Sequence, residues 1–259
     1  EGSMIIQEGS KSNTVDDYHK TELVIINTSN QNHDMYTVFG EPLFVNGNNV
    51  SHESIDFDIT ILDYIENSTL ENITGEVQPN FRGMLKNFSM VSIPRDKDDM
   101  KNRPGIIFQV SGSFTDADGI YGLIFGQQIP ATMNISGKQY VMILQKQKTY
   151  LPFAIELIDF KKVMHPGTEV AKAYSSKINL IENNIPRPVL IEMNKPLRHK
   201  GYTFFQASFI EQEDGEATVL AAVNNYGRLF PYISSIIMSI GLLLHLLTNI
   251  PSLLKKNKK

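Results

Sequence analysis

His245 is the residue whose position most strongly suggests chemistry, because it lies inside an apolar stretch, Phe230–Ile250. An ionisable side chain in such a stretch is costly in a membrane and is by default a functional candidate. A neutral imidazole there can ligate haem iron or form a hydrogen bond with a neighbouring helix. It can also reach the membrane interface, since Lys255 follows ten residues later. We take His245 as the candidate cofactor-binding residue and leave these roles open.

The other five histidines predict no metal site. His165 and His199 lie beside turn-forming residues, where we expect exposed loop positions. His19, His33 and His52 show neither the His-x-x-x-His spacing nor the carboxylate pattern typical of zinc ligands. The chain has no cysteine, which also excludes thiolate ligands, thiolate nucleophiles and disulfides.

The carboxylates and hydroxyls form no catalytic pattern. Asp116, Asp118 and Gly119 weakly match the start of a calcium loop, but the glutamate that closes such a loop is missing, and a β-turn is the better interpretation. The chain has no Gly-x-Ser-x-Gly elbow, no glycine-rich phosphate loop and no nucleophile paired with a base. We predict no catalytic residue, so an enzyme of its own is the weakest of the functions left open.

Five Asn-x-Ser/Thr triplets occur in the sequence. They begin at Asn27, Asn67, Asn72, Asn87 and Asn134. Such triplets are glycosylation sites in a eukaryotic secretory protein, but an asparagine-rich chain also produces them by chance.

The apolar stretch itself predicts a membrane anchor. Phe230–Ile250 is 21 residues long, has no formal charge and contains ten Leu or Ile residues. A helix needs about 20 such residues to cross a bilayer. The alternative, a buried helix of a soluble protein, is usually shorter. Lysines follow at positions 255, 256, 258 and 259. Basic flanks stay in the cytoplasm, so we expect the preceding domain to lie outside the cytoplasmic (inner) membrane.

The charge distribution supports the same arrangement. The 228 residues before Leu229 carry 20 basic and 28 acidic side chains, a net charge of -8. Such a surface does not favour nucleic acid. The expected contact with membrane lipid comes from the apolar stretch. An exported domain needs a signal peptide or an earlier span, and neither is visible after Glu1, so we expect further sequence upstream.

The exterior part has the pattern of a β protein. Residues 55–61 alternate between apolar and polar side chains, which is typical of a strand with one buried face. Similar segments are Leu23–Ile26, Ile106–Val110, Tyr140–Leu144, Phe153–Ile158, Lys177–Ile181, Val189–Met193, Tyr202–Phe209 and Thr218–Val223. Turn formers separate them at Asn46-Gly47, Asp118-Gly119, Ser136-Gly137, Pro166-Gly167, Asn183-Asn184 and Asp214-Gly215. Only 79–86 suggests a short exterior helix.

We therefore predict a mainly β fold, an exterior β-sandwich or open-barrel domain followed by a single C-terminal transmembrane helix. The predicted regions are 1–150 (exterior, β-rich), 151–228 (a second exterior β region), 229–252 (transmembrane helix) and 253–259 (cytoplasmic basic tail).

The second exterior region carries four successive motifs. Leu151–Gly227 contains LPFAIELIDF, HPGTEVAKAYSSKINL, IEMNKPLRHKGYTFFQASF and the start of VLAAVNNYGRLFPYISS, which continues into the apolar stretch. Their order and spacing, and the helix that follows, resemble the ResB-like family of system II cytochrome c biogenesis. The resemblance covers about 100 residues and is looser over 2–9 and 111–130. Its motifs are those of a fold rather than of a catalytic site.

The resemblance implies a subunit of a membrane complex that delivers haem and helps to attach it to apocytochrome c. In that family the subunit works with a ResC or CcsA-like membrane partner, which supplies a tryptophan-rich haem-handling motif. This chain has no tryptophan and cannot supply that motif, so the resemblance implies that it meets haem only as part of the complex. A second class of function fits the composition equally well: an anchored β-sandwich module for ligand binding or envelope assembly, unrelated to haem.

Overall fold

The structure is a computed structural model that describes residues 1–30, 33–73, 75, 78–167, 171–212, 215–225, 227 and 229–256. These residues form sixteen strands, three short 3-10 helices and one α-helix. The first eight strands are β1 (Gly2–Gln7), β2 (Lys11–Asn27), β3 (Met35–Gly40), β4 (Asn49–Val50), β5 (Asp58–Ile65), β6 (Ser68–Asn72), β7 (Phe88–Ser92) and β8 (Gly105–Ser111). The others are β9 (Gly119–Ile124), β10 (Ala131–Ile135), β11 (Lys138–Met164), β12 (Ala171–Glu182), β13 (Ile185–Glu192), β14 (Leu197–His199), β15 (Tyr202–Gln212) and β16 (Gly215–Asn224). The 3-10 helices are Glu41–Leu43, Gly83–Lys86 and Asp99–Lys101, and helix α1 is Phe230–Lys256.

The largest sheet curls into a nearly closed barrel. Its strands follow the order β13-β12-β11-β2-β1-β16-β15-β14. The two ends of this sheet meet, because a bridge between Glu192 and Lys195 brings the end of β13 next to the segment that enters β14. Inward side chains such as Ile6, Phe204 and Leu220 fill the interior, which we call the barrel core.

A second core lies where another sheet covers the other halves of β2 and β11. The sheet β4-β5-β8-β9 packs there against β3, β2, β11 and β10, and the buried side chains between the layers form what we call the sandwich core. Phe108, Ile59 and Tyr140 are fully buried in it. Apolar burial of this kind, about 1.5–3 kcal/mol for a large side chain, is the main force that holds the layers together.

Strand β11 links the two cores. Its side chains up to Leu144 belong to the sandwich core, and those from Leu151 onward belong to the barrel core. Register shifts against β2, at 146/148 and at 150/155, redirect the strand between them. The division predicted at residue 150 thus falls inside one continuous strand, and the N-terminal residues Met4 and Ile6 pack in the barrel core with the C-terminal strands.

Tight turns explain two of the hairpins. Asn183 and Asn184 join β12 to β13 with φ of 50° and 63°, and Ser136 and Gly137 join β10 to β11 with φ of 51° and 78°. Positive φ at both central positions is the type I′ geometry that matches the twist of paired strands.

The mainly β fold with one C-terminal apolar helix is confirmed. Other details differ from the prediction. Ile55 and Phe57 are buried but precede β5, and the expected short helix at 79–86 is a single 3-10 turn, Gly83–Lys86. The predicted turn residue Asp214 and tail residues 257–259 lie outside the described part of the chain.

Candidate functional site

A buried polar network joins opposite walls of the barrel. Ser176 on β12 donates its hydroxyl to Gln206 Oε1 on β15 at 2.6 Å and lies 2.9 Å from Thr218 Oγ1 on β16. Gln206 Nε2 donates to Thr218 Oγ1 at 2.9 Å and to the Ser208 carbonyl at 3.1 Å. A bulge between Gln206 and Ser208 makes the last contact possible. Buried groups satisfied in this way fix one arrangement of the three strands.

An aromatic group fills the end of the barrel from which the chain leaves. Phe153 meets His199, Tyr202 and Phe204 with ring centroids 4.8, 6.5 and 6.0 Å apart, all edge to face. Offset and edge-to-face rings add stabilisation to that of the buried area. All four residues belong to the motifs identified in the sequence.

The prediction that His199 is an exposed loop residue is wrong. It lies on β14 with 18% of its side chain exposed, and its Nε2 is 3.2 Å from Glu182 Oε2. Lys200 Nζ binds the other oxygen of the same carboxylate. The hydrogen bond from Lys200, ahead of the opposing desolvation, lowers the pKa of Glu182. Glu182 therefore links the end of β12 to the β14–β15 turn. This link crosses the junction where the two ends of the sheet meet, which we call the seam of the barrel.

The chain passes from this end of the barrel into α1. Asn225 N–H donates to the Gly201 carbonyl at 3.3 Å, beside Lys200, and α1 begins at Phe230. Phe230–Thr248 is long and apolar enough to cross a membrane, and none of this segment is buried against the rest of the chain.

Four hydroxyl side chains of α1 are satisfied within the helix. Ser234 and Ser235 both donate to the Pro231 carbonyl, at 3.0 and 2.8 Å, and Ser239 donates to Ser235 O at 2.8 Å. Thr248 donates to Leu244 O at 3.1 Å. Bonds to carbonyls three or four residues earlier remove the need for water at these side chains, which lowers their cost in an apolar environment.

His245 is the polar side chain of α1 that has the chemistry of a ligand. It lies on the exposed surface of the helix, and Gly241 precedes it by four residues on the same face. No atom lies within 4 Å of the position of a Cβ at Gly241. The helix surface one turn before the imidazole therefore carries no side chain.

A charged cleft of about 270 Å³ lies where β2 passes between the two cores. Glu41 Oε2 accepts hydrogen bonds from Thr21 N at 2.8 Å and Thr21 Oγ1 at 3.1 Å, and Thr21 Oγ1 is 2.8 Å from Tyr64 OH. Burial, opposed by the hydrogen bond with Thr21, raises the pKa of Tyr64 to about 12. Lys146 Nζ donates to Tyr18 O at 2.7 Å, and burial lowers its pKa. These groups bind one another, so the cleft holds β2 in place.

The remaining histidines are not gathered into a site. His19 Nδ1 pairs with Asp99 Oδ2 at 2.8 Å, and His52 Nδ1 lies 2.8 Å from Ser54 Oγ. His33 Nε2 lies 3.3 Å from Asn30 Nδ2, and His165 is exposed. Within the described ranges, no group of three or more His, Cys, Asp or Glu residues could hold a metal ion.

The suspected calcium loop is a turn. Asp118 N–H donates to Thr115 O at 3.1 Å, which closes a β-turn, and the Asp118 carboxylate accepts from Ser113 N at 3.1 Å. The β-turn interpretation of this segment is confirmed.

Asn67 has a structural role that its triplet motif did not indicate. It is 7% exposed, its Nδ2 donates to Pro94 O at 2.9 Å, and its Oδ1 accepts from Arg103 N at 3.0 Å. The side chain thus cross-links the two ends of the 94–103 segment to β6.

Sequence analysis did not single out the polar network of the barrel. Gln206 occupies an inward position two residues after Phe204, where alternation predicts an apolar side chain. A polar residue at an inward position was the signal that could have identified it. The charged cleft offered no such signal, because its members come from five distant segments.

Comparison with known proteins confirms the family resemblance. Residues 117–226 match the model of the ResB-like family, a span that contains β9 to β16. Protein NrfI from Wolinella succinogenes is 31% identical over 103 residues, which are 39% of this chain. The aligned residues are 11% of NrfI, so the chain covers about a tenth of the relative's length.

Proposed function

We propose that this chain is a ResB-like subunit of a cytochrome c biogenesis complex of the system II type. Its β domain would scaffold haem delivery to apocytochrome c outside the cytoplasmic membrane. The observation that carries the proposal is the match of residues 117–226 to the ResB-like family. The identity with NrfI supports the same assignment. The matched strands contain both the polar network and the aromatic end of the barrel.

A scaffolding role suits the chemistry of the described residues. The serine and threonine hydroxyls at the barrel network, Ser176 and Thr218, bind Gln206 and each other rather than a general base. A nearly closed barrel whose Ser176, Gln206 and Thr218 side chains bind one another suits a rigid domain, which can hold a polypeptide and a membrane partner in a fixed geometry. In this proposal, the chain positions the reactants and another subunit performs the chemistry.

The anchor in this proposal is α1. The lysines after it favour a cytoplasmic C-terminus, which would place the β domain on the outer side.

The absence of cysteine allows a test of this orientation, because a single introduced cysteine is the only thiol in the chain that can be labelled. Ile185→Cys, at a position 70% exposed, should react with a membrane-impermeant maleimide in intact spheroplasts. Lys256→Cys should react only after the membrane is opened. The reverse pattern would overturn the orientation.

His245 is proposed to hold haem iron through an imidazole nitrogen. His245 is exposed, and Gly241, one turn earlier on the same face, carries no side chain, so His245 would be the residue that holds haem on this helix. Bound haem supplies the group that is transferred to the apocytochrome. Full-length chain purified in detergent should show the absorbance band of ligated haem, and His245→Ala should lose most of it. The matched control Ser239→Ala should keep it. An unchanged band in His245→Ala would exclude this role.

The proposed partners are a ResC or CcsA-like membrane protein, apocytochrome c and membrane lipid. Because this chain has no tryptophan, a tryptophan-rich haem-handling segment must come from the partner. Affinity-tagged full chain should copurify with a multi-span, tryptophan-rich protein. Deletion of the gene should abolish haem staining of c-type cytochromes, and the intact gene should restore it.

Normal holocytochrome levels after deletion would reject this function. They would favour the second class, an anchored β module for envelope assembly, whose topology is the same.

A further inference from the structure

An apolar cleft of about 600 Å³ lies at the end of the sandwich away from the network and aromatic group of the barrel. Its walls come from the 3-10 helix Gly83–Lys86, the β6–β7 hairpin, the segment 126–130 and the start of β10. The apolar lining includes Leu70, Met84, Phe88, Ile124, Ile129 and Pro130. A concave and mostly apolar surface of this size is typical of a binding site.

Gln127 places an unsatisfied acceptor at this cleft. Its Nε2 donates to the Ile129 carbonyl, which fixes the orientation of the amide. Its Oε1 is then left buried without a hydrogen-bond donor. A buried acceptor without a donor is uncommon in a native protein, since it loses water and gains nothing in return.

Arg103 gives the mouth of the cleft a positive charge. Its Nε donates to Phe125 O at 3.4 Å, a weak contact, and within the described ranges no carboxylate lies within ion-pair distance of its guanidinium. A guanidinium can bind a carboxylate with two parallel hydrogen bonds. On the opposite rim, Ile129 is 78% exposed.

Strand β10 supplies a free edge beside the cleft. It pairs with β11 on one side, and the described strands leave its other side without a partner. Ala131 and Thr132, at its start, line the cleft. An unpaired edge presents backbone N–H and C=O groups to any extended chain that approaches it.

We propose that this cleft binds an extended peptide segment of a partner protein, which adds to the edge of β10. The peptide places an apolar side chain against Leu70, Met84 and Ile124, and a neighbouring carboxylate binds Arg103. A free strand edge beside an apolar pocket provides backbone hydrogen bonds for affinity and a side-chain pocket for specificity. The inference does not depend on haem or on the proposed role in cytochrome c biogenesis.

The test is a selection from a display library of random peptides of about ten residues, somewhat longer than a common strand, against the full chain in lipid nanodiscs. Enriched peptides should contain an apolar residue close to Asp or Glu. A synthetic enriched peptide should bind at least about tenfold more tightly than the same peptide N-methylated at alternate residues, since N-methylation removes the donors of strand pairing. This loss corresponds to about 1.4 kcal/mol.

Variants of the chain complete the test. Arg103→Gln should remove the preference for acidic peptides, and Ile129→Asp should weaken binding of the enriched peptide about tenfold or more. Ile185→Asp, an exposed isoleucine on the barrel, is the matched control and should bind normally. No enrichment, or binding that is insensitive both to N-methylation and to Ile129→Asp, would overturn the proposal. A cleft that binds a compact organic ligand instead of a peptide would give the first result.

Discussion

Ser176 and Gln206, 30 residues apart in the chain, are joined by a 2.6 Å hydrogen bond in the interior of the barrel. Ser176 is fully buried and Gln206 is 6% exposed, so water does not compete for this bond. Both belong to the motifs that resemble the ResB-like family, the first in a Tyr-x-Ser strand start and the second at the end of Gly-Tyr-Thr-Phe-x-Gln. Their contact explains why a fold signature contains polar residues.

Thr218→Val should destabilise the domain by about 1–3 kcal/mol, because one N–H of Gln206 loses its acceptor in a buried site. Urea unfolding of the full chain in detergent, followed by far-ultraviolet circular dichroism, measures this. Thr149→Val at an exposed position of β11 should change stability by less than about 0.5 kcal/mol. A triple variant, Ser176→Ala, Gln206→Leu and Thr218→Val, should be less destabilised than the sum of the single changes, since no polar group remains unpaired. Additive losses would contradict a coupled network.

Glu182→Gln should weaken the seam of the barrel above about pH 4.5, and this effect should fade as the pH falls below that value. The pKa of Glu182 is lowered in the folded state by the hydrogen bond from Lys200. Its contribution is therefore present above the unfolded pKa of 4.5 and is lost as the pH falls through the lower folded value. Thermal midpoints of wild type and variant should differ at neutral pH and converge in acid. A difference that persists at the lowest pH would contradict the pairing.

In a pH titration followed by tyrosinate absorbance, Tyr64→Phe should remove the absorbance change of one tyrosine at the alkaline end. Burial raises the pKa of Tyr64 to about 12, against an ordinary tyrosine value of 10. The unfolded state therefore loses this proton first, and stability falls as the pH rises from about 10 to about 12. Tyrosinate absorbance of the full chain measures the effect without interference from tryptophan, which the chain lacks. When the wild type is unfolded in denaturant, the absorbance change of Tyr64 should occur near pH 10 instead. The same high-pH amplitude in wild type and variant would refute the assignment.

Asn67→Asp should destabilise the chain by about 1–3 kcal/mol, since the carboxylate cannot donate to Pro94 O. Asn72→Asp, at an exposed position in the neighbouring strand, should have an effect below about 0.5 kcal/mol. The same burial makes Asn67 a poor glycan acceptor once the domain has folded. Equal unfolding midpoints for the two variants would show that the bridge from Asn67 to Pro94 contributes little.

Local patterns were sufficient to predict the class of the fold. The alternation in Tyr202–Phe209 and Thr218–Val223 corresponds to β15 and β16, and the Asn183-Asn184 pair forms the tight turn that its composition suggested. The uncharged stretch after Leu229 is an α-helix. In each case, neighbours in the sequence determine the backbone conformation.

Contacts between distant segments were not predictable in the same way. The three residues of β14 are too few to show a period, and the contact of His199 with Phe153 crosses the barrel. Asn67 belongs to a surface motif by sequence but is buried by the 94–103 segment. The apolar cleft depends on four separate segments meeting, which no single one of them encodes.

The pairing of β1 with β16 sets the order of events when the chain is made. Gly2 aligns with Ala222, so β1 cannot pair with β16, and the barrel cannot close, until β16 has been synthesised. Contacts this distant are slow to form and leave strand edges exposed meanwhile. Helix α1 starts at Phe230, soon after β16 ends at Asn224, so barrel closure and arrival of the anchor become one late step. A chain without β16 would leave the facing edges of β1 and β15 unpaired, and unpaired edges are where chains aggregate.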